Sequence, residues 1–432
     1  MRPPTDTTVV DASRYQQVRR RTEAITAPLC VEDHVVQTID DVSPPKWHLA
    51  HTTWFFETFV LAPNAANHRP FDPHFGFLFN SYYEAVGPRA ERAARGALSR
   101  PTLARVHEYR RAVDEQMHEL LAAGLPAKVA AIVELGLQHE QQHQELLVTD
   151  IKHILASNPE RPAYRPAPEP AARGAAGIAT HRGAARWRRF DGGLVEIGHD
   201  GAGFGFDNET PRHRVWLEPF DLADRLVTNA EYLQFVEDGG YARAELWLSD
   251  GWSAVQRLGW YAPLYWERDG DGWSETTLHG RAPLEPDAPV VHVSGFESDA
   301  FARWAGARLP TEFEWEHAAA QLDQGEALAA ANLFGDQVLH VRAAPDDAEG
   351  LRQMYGDAWE WTSSAYLPYP GYRPLEGALG EYNGKFMSGQ NVLRGGSVAT
   401  PREHFRPTYR NFFQPEKRWQ FTGLRLARSL GT

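Results

Sequence analysis

Glu134-Leu-Gly-Leu-Gln-His139-Glu-Gln-Gln-His143-Gln-Glu145-Leu-Leu147 decides how this chain is read. The stretch lies inside a long helical pattern, where residues four apart are about one turn apart and share a side. His139 and His143 therefore point the same way. Ile132, Leu135, Leu146 and Leu147 fall near that side, so both imidazoles are expected to face a core. Two histidines at this spacing on a buried face can reach one metal ion. The plain alternative is a pair of core histidines satisfied by hydrogen bonds, and spacing alone leaves the two readings level. The glutamates here do not stand in a peptidase context, so a zinc-protease motif is set aside. A metal needs a third ligand, which must come from elsewhere in the chain.

The bulk composition narrows the classes. The chain has 432 residues, enough for two or three domains, and 42% are hydrophobic. A formal net charge of -13 disfavours a nucleic-acid partner. No apolar run reaches the length of about 18 residues that spans a bilayer, so no membrane partner is expected. The N-terminus, Met1-Arg-Pro-Pro-Thr-Asp6, has no apolar signal region. Cys30 is the single cysteine, which excludes an internal disulfide. A cytoplasmic enzyme or binding protein fits these limits.

Residues from about 11 to 156 read as helices. Helical periods run from Ser13 to Ala27, from Trp47 to Phe59 after Pro44-Pro45, from Pro101 to Ala123, and from Ala127 to Ala156. Four helices around a buried metal site is a recurrent architecture. Residues 158–170 hold five prolines, and an Ala/Gly/Arg stretch follows to about Arg186, which reads as a linker. From Trp187 the composition changes. Twelve of the fourteen tryptophans lie there, with short alternating segments such as Leu194–Gly198 and His213–Leu217 that read as strands. Helices are expected at Asn229–Asp238 and Glu297–Ala305. The domains are thus expected at 1–157, 187–432 and a linker at 158–186.

Several C-terminal segments are specific. They are Phe190-Asp-Gly-Gly193, Phe206-Asp-Asn-Glu-Thr-Pro-Arg-His213, Val227-Thr-Asn229, Arg308-Leu-Pro-Thr-Glu-Phe-Glu-Trp315-Glu, Trp359-Glu-Trp361-Thr, Val392-Leu-Arg-Gly-Gly-Ser397 and Gly423-Leu-Arg-Leu-Ala427. In this order they resemble the formylglycine-generating-enzyme, or sulfatase-modifying, fold, a relative of C-type lectins. His48-Leu-Ala-His51-Thr-Thr-Trp-Phe-Phe-Glu57, with the His139–Glu145 stretch, resembles the DinB-like four-helix bundle. The two together resemble the EgtB-type sulfoxide synthases of ergothioneine biosynthesis. The implied fold is an α bundle followed by an α+β domain.

That resemblance implies a non-haem Fe(II) enzyme that joins hercynine (N-α-trimethylhistidine), a cysteine-type thiol and O2 into a sulfoxide. It implies His51, His139 and His143 as iron ligands. From spacing alone His48 competes with His51, since both sit on one helix; the family pattern selects His51 and leaves His48 a structural role. Three neutral histidines on one side of a ferrous ion leave positions for thiolate, imidazole and O2. Zinc also accepts three histidines but is redox-silent. Arg92 and Arg95 resemble the arginines that grip the thiol's carboxylate. Gln142 and the segment Asn411-Phe412-Phe413 match the hercynine pocket, where aromatic faces can hold a trimethylammonium.

Oxygen chemistry also needs a proton donor. Mycobacterial-type enzymes use a C-terminal tyrosine that lies three residues before another. Here Tyr382 fits the second position, and the first falls near Leu379, which is no donor. Tyr82-Tyr83 resemble the paired tyrosines of the subtype that uses free cysteine and are the expected catalytic residues. The alternatives are γ-glutamylcysteine as sulfur donor and an ovothiol-type synthase. A formylglycine-generating enzyme is excluded because its copper site needs cysteines, and none follows Cys30.

Overall fold

The computed structural model describes residues 11–66, 68–167, 183–335, 338–345 and 350–430. It divides into two compact units. The first runs to Arg165 and also takes in Gly201–Phe204 and Pro374–Tyr382; the second holds the rest. Most of the expected 158–186 linker lies at 168–182, outside the described residues. Residues just before it pack on the first unit, where the buried Tyr164 hydroxyl donates to the Ile25 carbonyl at 2.6 Å.

Four long helices build the first unit: α1 (Ala12–Thr26), α2 (Pro45–Phe56), α3 (Leu103–Ala122) and α4 (Ala127–Ser157). Asp11 and Thr102 cap α1 and α3 by accepting from the backbone amides of Arg14 and Arg105. Pro45 opens α2, where its missing N–H costs nothing. The helical run expected to continue to Phe59 changes at Glu57 into a π-helical turn, Glu57–Leu61, of the kind often found near functional sites. Glu57 is buried there and accepts from the Tyr109 hydroxyl and the Phe71 amide.

α4 is buried on nearly every side between Gly136 and Leu155. Leu147 is in the core as expected, whereas Ile132, Leu135 and Leu146 are only half-buried. Val133 and Leu137 take their place, with Phe55, Phe56, Val106 and Val113 in the same cluster. The reason is that α4 has two polar faces inside the protein. One carries the histidines toward α2. The other carries Glu140, which accepts from Arg19 (2.8 Å), Arg110 (3.1 Å) and Thr22 (2.6 Å) of α1 and α3. Gly136 lets α2 and α4 come together: a β-carbon there would stand 2.7 Å from the Phe56 ring and 2.8 Å from Phe55.

The second unit is α+β with small sheets. β1 (Trp187–Phe190) pairs with β4 (Phe220–Ala223), which pairs with β12 (Ala427–Ser429). β2 (Gly193–Ile197) and β3 (His213–Leu217) form an antiparallel pair. β5 (Trp266–Asp269), β6 (Gly272–Thr277) and β7 (Gly280–Pro283) form a meander. The fourth sheet has the order β10-β9-β8-β11, from Asn411–Phe413, Asn391–Arg394, Trp359–Ala365 and Thr422–Gly423. Helices occur at Asn229–Glu237 and Gly295–Trp304, close to the expected spans, and also at Ser249–Leu258 and Glu312–Ala319.

The segments that carried the resemblance supply several of this unit's buried charges. Arg410 pairs with Glu312 at 2.8 Å, Arg425 with Glu360 at 2.8 Å, and Arg394 with Glu316. Each buried guanidinium meets a carboxylate from another segment, so distant stretches are tied by charge-assisted bonds that neither partner can lose cheaply.

Candidate metal centre

α2 and α4 bring His51, His139 and His143 together, with one ring nitrogen from each within 4.8 Å of the others. Their ring centroids are 5.0 Å (His51–His139), 4.7 Å (His51–His143) and 4.6 Å (His139–His143) apart. They are 1%, 2% and 7% exposed. Burial, then the neighbouring imidazoles, holds His51 and His143 well below the usual histidine range, and burial brings His139 to about 4. All three are therefore neutral at pH 7, the form that ligates metal.

The donor set fits a metal. His51 Nδ1–H donates to the Phe79 carbonyl at 2.6 Å, which leaves Nε2 with its lone pair. Among the described residues His139 has no hydrogen-bond partner on either buried nitrogen. A buried imidazole without partners carries a cost that a metal bond removes. Trp47 stacks on one face of His51 at 4.5 Å and Trp54 on the other at 5.6 Å, fixing the ring plane. His48 is not in the cluster. Its Nδ1 lies 2.9 Å from His143 Nδ1, and its Nε2 lies 3.0 Å from Asp150.

Tyr82, Arg92 and Arg95 gather beside this cluster. Arg92 donates to the Tyr82 hydroxyl at 3.0 Å. Arg95 donates to Ser43 and Ser81, and its guanidinium lies 3.3 Å from the Trp47 ring centre. Among the described residues neither arginine is paired with a carboxylate, and both leave a buried Nε without a partner. Burial lowers Arg95 to about 9. Burial raises the Tyr82 phenol, but Arg92 and Arg95 outweigh it and the net shift is downward. Tyr83 is buried between Trp54 and Phe59, and burial raises it well above the usual phenol range.

Sequence reading places Tyr382 at the second tyrosine position but gives it no role in the site. Tyr382, in the stretch that joins the first unit from far along the chain, donates to Gln142 Oε1 at 2.5 Å. Its ring meets His139 edge-on at 5.7 Å. Leu379 is partly buried against the bundle core, and Tyr382 lies beside His139. No local pattern could show this, because Gln142 and Tyr382 are 240 residues apart. Asn411, Phe412 and Phe413 lie in the second unit on β10. Phe412 stacks on Tyr366 at 4.0 Å, and Phe413 meets Trp419 edge-on at 5.6 Å.

Residues 188–430 match the sulfatase-modifying factor enzyme 1-like domain, and residues 14–147 match the DinB superfamily. A hercynine oxygenase of Mycolicibacterium smegmatis is 36% identical over 321 residues, covering 68% of this chain and 70% of that protein. A hercynine oxygenase of Mycolicibacterium thermoresistibile is 40% identical over 245 residues, 52% of this chain and 54% of that protein, so the match spans about half the relative's length. A formylglycine-generating enzyme of Streptomyces coelicolor is 34% identical over 278 residues, 54% of this chain and 84% of the relative. No described helix is long and apolar enough to cross a membrane.

Proposed function

We propose a function from one premise: the chain belongs to the hercynine oxygenase family. The activity is an O2-dependent coupling of hercynine to the thiol of cysteine, giving a sulfoxide. The carrying observation is the buried cluster of His51, His139 and His143, in which neither ring nitrogen of His139 has a hydrogen-bond partner among the described residues. Ferrous iron, when bound there, supplies the one-electron chemistry through which O2 reacts. The formylglycine-generating relative matches 54% of this chain, and this chain has no cysteine after Cys30.

The reaction forms one C–S bond and one S–O bond. The thiol loses its S–H hydrogen and the imidazole its C–H hydrogen. One oxygen atom ends on sulfur and the other leaves as water. Gln142 faces the cluster from α4, and its amide suits a hydrogen bond to the substrate imidazole. Arg92, half-buried, and Arg95, buried, supply two positive charges with no carboxylate paired to them among the described residues, which suits the amino acid carboxylate of the thiol substrate. Holding both substrates beside one metal turns their encounter into a positioned one. A phenol supplies the proton that oxygen takes up. Tyr382 is the best-placed donor by its contacts with Gln142 and His139, with Tyr82 and Tyr83 behind it.

Free cysteine is the proposed sulfur donor and γ-glutamylcysteine the alternative. The test is anaerobic loading with ferrous iron, then hercynine, each thiol in turn, and air, with products identified by mass. A sulfoxide with cysteine is expected, together with loss of iron and product in His51→Ala. Iron retention and full turnover in that variant would overturn the ligand set, and faster product from γ-glutamylcysteine would overturn the donor.

A further inference from the structure

Asp150 and His48 extend from His143 in a hydrogen-bonded row, and the proposed reaction gives neither of these two a role. All three side chains are buried. Asp150 Oδ2 accepts from the Ser43 backbone N–H at 2.9 Å, a group that can only donate. The same oxygen lies 3.0 Å from His48 Nε2. A carboxylate only accepts, so His48 carries its proton on Nε2. A neutral imidazole has one donor and one acceptor, so His48 Nδ1 holds a lone pair. That nitrogen is 2.9 Å from His143 Nδ1, which must therefore be the donor. His143 is left with its proton on Nδ1 and its lone pair on Nε2.

We propose that Asp150 and His48 are positioning residues, which fix the tautomer of His143 and aim its Nε2 at the metal. His51 reaches the same state through one carbonyl, that of Phe79. His143 lies along a helix whose neighbouring carbonyls are already used by the helix itself. An acceptor must therefore be brought from α2, one turn before His51, and a second histidine can accept only if its own tautomer is fixed in turn. Asp150, further along α4, does that. The order His48–His51 on α2 and His143–Asp150 on α4 thus reads as ligand and support on each helix. Outer-shell partners of this kind typically change metal affinity by roughly 10–100-fold.

The inference rests on the histidine cluster being a metal site, but its first test needs neither metal nor turnover. In metal-free protein labelled with 15N-histidine, long-range 1H–15N correlation reads which ring nitrogen of His143 is protonated. Protonation on Nδ1 is expected; protonation on Nε2 overturns the proposal. The second test is chelator competition for ferrous iron under anaerobic conditions. His48→Phe keeps the ring's bulk and should weaken binding by about 10–100-fold. His48→Asn places an amide oxygen near the former Nδ1 and should restore most of that loss, which a purely space-filling role would not. Wild-type affinity in His48→Phe also overturns the proposal. An inactive protein with the expected tautomer and affinities would remove the proposed reaction and leave this inference standing.

Discussion

At the scale of single residues, the proposed reaction has three tyrosines as candidate sources of its proton. Tyr83 is walled in by Trp54 and Phe59, and Tyr82 is held by Arg92. Tyr382 touches both Gln142 and the His139 ring. Tyr382→Phe should therefore keep its iron, slow sulfoxide formation by roughly 10²–10⁴-fold and release cysteine sulfinate. The Tyr82→Phe, Tyr83→Phe double variant should show a smaller effect. Product analysis under air decides it: the reverse order would return the role to the pair. Arg95 tells of binding. Its charge is buried with no carboxylate paired to it among the described residues, so Arg95→Ala should raise the apparent KM for cysteine and leave that for hercynine unchanged. A rise for hercynine alone would mean that the arginines serve the other substrate.

At the scale of elements, what could be read followed from periodicity and what could not followed from partners. The i, i+4 histidines of α4 were legible because helical geometry alone puts them together. The opposite, polar face of α4 was not, since Glu140 reads as a solvent charge until Arg19 and Arg110 arrive from α1 and α3. The helix Glu312–Ala319 was overlooked although Thr311 and Glu314 form a capping box at its start. The same device opens the helices at Asn229 and Gly295, and in all three boxes the glutamate is also held by an arginine, Arg225, Arg418 or Arg308. The end of α2 was overrun because nothing local marks a π turn.

Glu140 gives this scale its test. Burial would raise its carboxyl, but Arg19 and Arg110 bring it to about 2. A folded value below the unfolded one stabilises the bundle above about pH 4.5, and that gain fades as pH falls toward 2. Glu140→Gln leaves two buried guanidinium groups unpaired and should cost about 3–5 kcal/mol at pH 7. In urea unfolding the gap to wild type should narrow by about 1 kcal/mol or more at pH 3.5. An equal gap at both pH values would show that the ion pairs do not carry this helix contact.

At the scale of the whole molecule, the units do not follow the order of the chain. Residues 374–382 fall within the 188–430 match, yet they belong to the helical unit and bring Tyr382 to its histidines. Replacing 374–382 by a Gly/Ser chain of equal length should leave ferrous iron binding intact and lower the share of thiol converted to sulfoxide. Loss of iron binding in that variant would mean the segment supports the ligands themselves.

The placement of that nine-residue stretch bears on how such a protein can be taken apart and reassembled. A bundle exchanged at the 158–186 boundary would carry His51, His139, His143, Gln142 and the arginines with it. It would leave behind the phenol that sits against Gln142. On the proposed reaction the two halves are therefore not interchangeable cassettes: a chimera joined there takes its histidine cluster from one parent and its proposed proton source from the other, and is expected to work only where the two parents agree on where that tyrosine stands.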